Sequence, residues 1–187
     1  YDHRLGRSST ASREELAALA ASVGLNTRIV EEVHCGDRKV SSTQIRNLLA
    51  AGDVRTAGGM LGYRYNLLGV VVLGNMLGRT MGFPTANMEL YEPLKIIPAN
   101  GVYLVEAEVL GRHRYGICNI GTRPTIGEGN ARTIETHIFD FGENIYGLDL
   151  RISFIDRIRD ERKFSSMEEL RAQLEKDRKV AEELLSL

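Results

Sequence analysis

The sequence predicts a mainly β domain, a small closed barrel or sandwich, with an α/β segment ahead of it and a helix at its C-terminal end. Three observations carry this. From Asn66 onward, short apolar or alternating runs recur between turn signals, at 67–73, 88–90, 102–110, 114–120, 133–141 and 148–157. Residues 165–185 place Met167, Leu170, Leu174, Ala181 and Leu184 at helical spacing. Before Met60 the order is helix, strand, helix, as at the end of an α/β domain.

The first helix spans 12–23, where Ser12 and Glu15 have capping-box spacing and Leu16, Leu19 and Val23 form a stripe. Residues 26–33 read as a short strand and 34–39 as a turn around Gly36 and Asp37. Ser42 is placed to cap a helix over 43–50, with Ile45, Leu48 and Leu49 inward, and Gly52–Asp53 separates it from a short helix ending near Met60. In the β region, Gly111 marks a hairpin and 142–147 joins the last two strands. Ser165 with Glu168, or Ser166 with Glu169, offers the cap of the final helix, whose stripe is expected to pack on the sheet.

With 187 residues the chain has room for one domain, or one domain and a fragment. An apolar fraction of 43% supports a core. A net charge of −1 and 6% aromatic residues give no basic, aromatic-lined face, which argues against an oligonucleotide-binding barrel and any nucleic-acid partner. No apolar run approaches a membrane span and no secretory signal is visible, so no membrane association is expected. Cys35 and Cys118 lack metal-site spacing and read as free thiols in a reducing cytosol.

The richest stretch is Gly74–Asn87, GNMLGRTMGFPTAN. Gly74, Gly78 and Gly82 let backbone N–H groups approach an anion, and Arg79 adds a cationic fork beside Thr80. Thr85 and Asn87 supply hard oxygens from alternate residues of an extended segment, suited to a Mg²⁺ that already carries phosphates. A Gly-rich hairpin ending in a Pro turn explains the same spacing, and neither GxxxxGK[ST] nor a well-placed GxGxxG is present.

GRTMGFPTAN is followed in order by PANGVY (98–103), NIGTRPT (119–125), IETHIFDF (134–141) and RDERKF (159–164). Together these blocks resemble the riboflavin kinase module of bacterial bifunctional riboflavin kinase/FAD synthetases, from about Leu61 to the C-terminus. The resemblance implies a Greek-key β-barrel with an appended C-terminal helix, and Mg-ATP-dependent phosphorylation of the riboflavin 5′-hydroxyl to give FMN and ADP in the cytoplasm. It implies nucleotide contacts at Gly74, Gly78, Arg79, Thr80 and His137, a metal pair at Thr85 and Asn87, and a general base at Glu135. It places flavin contacts at Arg159, Asp160 and Phe164, with Arg123 as a further flavin candidate, and the Gly-rich composition of 119–130 makes that segment a candidate lid. Family loops often carry Lys or Arg where Leu77 stands, which removes one expected phosphate contact.

Residues 1–60 are then expected to be the end of an FMN adenylyltransferase domain, and 61–187 the kinase barrel. VSSTQIR (40–46) resembles an ATP-phosphate segment of that domain, and DHRLG near the start another of its blocks. No HxGH and no opening nucleotide strand are present, so Ser41, Ser42 and Arg46 read as a capped surface helix and FAD synthesis by this chain is not expected. The rival reading is a flavin-binding or storage module without turnover, which needs neither the Thr85/Asn87 pair nor Glu135.

Overall fold

The computed structural model describes residues 12–74, 78, 82–124 and 130–186. They fall into two compact units, 1–40 and 41–187. In the first unit, α1 (Arg13–Ser22) starts with the expected capping box: the Glu15 amide donates to Ser12 Oγ at 3.1 Å, and the Ser12 amide to Glu15 Oε2 at 2.7 Å. Its apolar stripe buries nothing. The strand expected over 26–33 does not form; Ile29, Val30 and Val33 are exposed and no neighbouring strand pairs with the segment among the described residues. A strand needs a partner for its backbone groups, which an apolar run does not supply. The expected turn at 34–39 is instead a minimal hairpin, β1 (His34–Cys35) on β2 (Arg38–Lys39), with Gly36 at φ 57°.

The second unit opens with α2 (Ser42–Ala51) and α3 (Val54–Leu61). Ser41 caps α2, one residue earlier than expected, and Asp53 caps α3. The sequence divided the chain at 60/61, by resemblance. Physically the two helices belong with the β-strands that come after them: Leu49, Val54 and Ala57 join the apolar cluster of Leu67, Tyr103 and Phe154, and the Ala99 amide donates to Leu49 O at 3.0 Å.

Six antiparallel strands close a barrel: β3 (Asn66–Val72), β4 (Ala86–Leu90), β5 (Gly101–Val109), β6 (Arg112–Pro124), β7 (Asn130–Ile138) and β8 (Asp149–Arg159). Their order around it is β3-β4-β7-β6-β5-β8. After the β5–β6–β7 meander the chain returns to lie beside β5, which is a Greek key. β6 continues to Pro124, opposite Asn130, so the first half of the candidate lid is paired strand. Residues 125–129 lie outside the described residues. The barrel interior is filled by alternate side chains such as Leu67, Val71, Tyr103, Val105, Ile120 and Ile152.

The final helix, α4 (Met167–Leu185), is capped by Ser166 and lies on the outside. There Ala181 and Leu184 pack with Val102, Leu104, Ile117 and Phe139. The helix stripe thus meets the sheet as expected, except that Met167 stays exposed and Asp177 occupies a core position.

The β5–β6 turn holds one correctable strain. Leu110 (φ 53°) and Gly111 (φ 69°) form a two-residue hairpin with both φ positive, a conformation that costs an L-residue with a bulky side chain roughly 1–2 kcal/mol. Leu110 is also exposed, so it contributes little in return. Leu110→Asn, which tolerates this conformation, is expected to raise the thermal midpoint by about 2–4 °C. A midpoint at or below the parent value in differential scanning calorimetry contradicts that account.

Candidate functional site

Sheet register brings together side chains far apart in sequence. Asn87 on β4 lies directly opposite Glu135 on β7, and Glu135 lies opposite Asn119 on β6. Directly paired residues carry Cβ atoms about 4.5–5.5 Å apart. The carboxylate of Glu135 therefore stands in a row between two carboxamides, all half-buried. Thr85, two residues before Asn87, is half-buried just ahead of β4.

The evenly spaced glycines meet this row for a steric reason. A Cβ on Gly74 would lie 2.0 Å from Asn87 Nδ2, so only a bare Cα fits against that carboxamide. A Cβ on Gly78 would lie 2.2 Å from Phe83 O and 3.6 Å from Thr85 Cγ2. Gly78 O also accepts the Phe83 amide at 2.9 Å, and Gly82 sits at φ 82°. Gly74 and Gly78 thus lie against the Phe83–Asn87 segment. Arg79 and Thr80 lie outside the described residues.

The residues fit a phosphate-borne Mg²⁺. Thr85 and Asn87 offer neutral oxygens from one extended segment, and the cradle at Gly74 leaves Asn87 uncovered by any side chain at that position. Mg²⁺ held on nucleotide phosphates needs only one or two protein oxygens, so a dense carboxylate cage is not called for.

A cavity of about 310 Å³ opens beside Thr85, walled by Ala86, Thr136, Ile138, Ile145 and Tyr146 and by the 141–144 turn. The Thr136 hydroxyl is fully buried and has no hydrogen-bond partner of oxygen or nitrogen. Its neighbour is the Cys118 thiol, a weak partner, which burial pushes up to about 12.

His137, a nucleotide candidate, contacts Pro84, Phe83 and Phe139. Nδ1 lies 2.9 Å from Pro84 O, and the ring sits 5.1 Å from that of Phe83 and 5.8 Å from that of Phe139. Burial lowers its pKa, the Pro84 carbonyl opposes that shift, and Arg178 adds to it.

The flavin candidates gather at the end of β8. The Arg159 guanidinium is engaged by Asp177 of α4, with Nε 2.9 Å from Oδ1 and Nη2 2.8 Å from Oδ2. Asp160 pairs with Arg157 Nη2 at 2.9 Å, and Phe164 lies under the guanidinium groups of Arg159 and Arg162. Arg123 has its backbone in β6 opposite Ala131; its side chain lies outside the described residues. Sequence reasoning missed the polar network beside this cluster. Asn100 Nδ2 donates to Thr122 Oγ1 and Glu161 Oε2, Arg132 donates to Ile97 O and Asn100 Oδ1, and a Cβ on Gly121 would lie 2.4 Å from Glu161 Oε1. Asn119 was also missed; only the β6–β7 register shows it beside Glu135.

The family model described as Flavokinase, riboflavin kinase, matches residues 61–185. A bifunctional riboflavin kinase/FMN adenylyltransferase of Bacillus subtilis (strain 168) is 44% identical over 155 residues, 82% of this chain and 49% of its own length. One of the same description from Listeria monocytogenes is 37% identical over 177 residues, 95% of this chain and 56% of its own. The chain thus spans about half the length of the curated relatives it matches. A solved structure from Streptococcus pneumoniae, described as a macrolide-efflux protein, has a TM-score of 0.86 at 35% identity, covering 97% of this chain and 58% of that one. That description belongs to that protein; among the described residues here, no helix is long and apolar enough to cross a membrane. With the match spanning 61–185 and including both the Thr85/Asn87 segment and Glu135, the chain belongs to the riboflavin kinase family.

Proposed function

We propose that the barrel transfers the γ-phosphoryl group of Mg-ATP to the 5′-hydroxyl of riboflavin, giving FMN and ADP. The observation that carries this is the pairing of Asn87 with Glu135, with Gly74 pressed onto Asn87. This supports a reading in which Asn87 is a metal oxygen, Gly74 part of a phosphate cradle and Glu135 the proton acceptor, side by side as phosphoryl transfer requires. Glu135 takes the hydroxyl proton as the oxygen attacks the γ-phosphorus, and the bond to the β-phosphate oxygen breaks towards ADP. When bound, Mg²⁺ supplies charge neutralisation on the phosphates. Thr85 and Asn87 would hold it, and Gly74, Gly78, Arg79 and Thr80 are the residues proposed to cradle the nucleotide.

The cavity beside Thr85 takes the nucleoside. Its apolar walls suit an aromatic base, and the Thr136 hydroxyl is the polar group that needs a partner there. Riboflavin lies on the other side of Glu135. From β7 across β6 and β5 to β8 is about 14 Å of barrel surface at the usual strand spacing. That length suits a tricyclic ring ending near Phe164 and Arg159 with its sugar chain reaching Glu135. The reading places the reaction in the cytoplasm with no nucleic-acid or membrane partner. A binding module without turnover would have no use for the paired clamp and base.

Incubating the chain with riboflavin and Mg-ATP, with flavins separated by chromatography, is expected to give FMN and stoichiometric ADP. No FMN overturns the reading. The clamp has its own test: Thr85→Val and Asn87→Leu should each raise the Mg²⁺ needed for half-maximal rate and weaken ATP more than riboflavin. Falling flavin affinity with intact ATP affinity would show that the two sides have been exchanged.

A further inference from the structure

The β4–β7 ladder stops one step before the metal pair is complete. Asn87 pairs with Glu135 and Ala86 with Thr136, but Thr85 has no ladder partner, and residues 83–85 form no regular structure. The next position on β7 is His137, whose side chain takes over where the backbone pairing ends. Its Nδ1 meets Pro84 O at 2.9 Å, which requires the proton on Nδ1, since a carbonyl only accepts. The ring is wedged between Phe83 and Phe139, and the guanidinium of Arg178 covers Phe139 at 5.1 Å from the ring centre. Arg178 in turn pairs with Asp140 at 3.1 Å and Glu182 at 2.9 Å. A continuous column thus runs from α4 through Phe139 and His137 to Phe83 and the turn that presents Thr85.

We propose that His137 is a positioning residue: it fastens the Phe83–Pro84 turn to β7 and so fixes Thr85, next to the ladder-held Asn87, at a set distance from Glu135. The inference rests on the proposed clamp for its consequence in catalysis, though not for the fastening itself. Thr85 carries one metal oxygen on a segment without ladder hydrogen bonds, so its position depends on what holds Pro84. His137 supplies that hold from the strand that carries the base, which makes clamp and base one rigid piece. With only 8% of its surface exposed, burial disfavours the charged ring, and the Nδ1–H donor is committed to the carbonyl.

Three variants separate donor from ring. His137→Phe keeps an aromatic ring between Phe83 and Phe139 and removes the donor. His137→Asn keeps an amide donor near the Nδ1 position and loses the ring. His137→Gln carries its amide towards the Nε2 position, out of line with Pro84 O. Backbone amide exchange of 85–87 in the full chain, with the Mg²⁺ dependence of FMN formation, reads the result. Exchange and half-maximal Mg²⁺ should each rise roughly ten-fold in His137→Phe and His137→Gln, the scale of one lost hydrogen bond. The riboflavin KM should hardly move, and His137→Asn should recover most of both changes. Unchanged exchange in His137→Phe overturns the proposal, whatever the Mg²⁺ curve shows; if that variant does not fold, His137→Gln decides in its place. A His137→Asn variant as impaired as His137→Phe also overturns it. Thr85→Val is the control for the clamp: fast exchange in His137→Phe with a normal Mg²⁺ requirement in Thr85→Val supports the fastening and removes the clamp.

Discussion

Glu135→Gln is expected to lower kcat for FMN formation by roughly 10²–10⁴-fold, the usual contribution of a positioned general base. The substitution keeps the volume and hydrogen-bonding shape of the side chain and removes only its capacity to take a proton. Because β7 holds position 135 by ladder bonds to β4 and β6 on both sides, the backbone should not move. Mg-ATP affinity should therefore stay nearly constant, which separates this variant from Thr85→Val and Asn87→Leu, where affinity is the affected quantity. Single-turnover phosphoryl transfer together with nucleotide titration checks both halves of the expectation. Near-parent turnover would remove Glu135 from the chemistry and leave the opposite Asn87 as a structural neighbour only.

The two halves of the candidate site were legible in the sequence to different degrees. Thr85, Asn87, Gly74 and Gly78 lie in one run, so local spacing announces them, and the contacts of Gly74 with Asn87 and of Gly78 with Phe83 explain why side chains are missing there. Glu135 was legible only through the family resemblance; in the strand pattern it is an ordinary polar residue at an outward position. Asn119 and His137 needed the register. A one-residue slip between β6 and β7 would take Asn119 off the row, and no local pattern fixes such a slip. The same limit produced the misplaced strand at 26–33. An apolar, β-branched run indicates what a segment would bury, while strand formation depends on a partner elsewhere. The boundary at 60/61 marks where the family match begins, and the apolar cluster also takes in Leu49, Val54 and Ala57, whose helical spacing says that they are buried but not against what.

The second large effect concerns a residue that the apolar stripe concealed. Along α4 the buried face runs through Leu174, Asp177, Ala181 and Leu184, and the charge at 177 reads as a gap in the stripe. Asp177 is 2% exposed at its side chain, accepts the Arg159 fork, and also accepts Gln173 Nε2 at 2.8 Å. Asp177→Leu fills the same position with an apolar side chain but strips Arg159 of its counter-charge. Losing one partner of a fully buried pair costs about 3–5 kcal/mol; Arg159 keeps 19% of its side-chain surface in water, so about 2–3 kcal/mol is expected here. That corresponds to a fall of roughly 5–10 °C in the unfolding midpoint. Asp177→Leu combined with Arg159→Met should recover most of it, because what destabilises is the orphaned charge and not the missing contact. The single variant should also raise the riboflavin KM more than the ATP KM, since Arg159 lies beside Phe164 at the C-terminal end of β8, whereas Gly74 follows the end of β3 that pairs with Asp149 at the start of β8. Calorimetry of the two variants with steady-state kinetics on both substrates tests this. Equal destabilisation by the single and double variants would show that α4 is held by Ala181 and Leu184 on the outer cluster, with the ion pair contributing little.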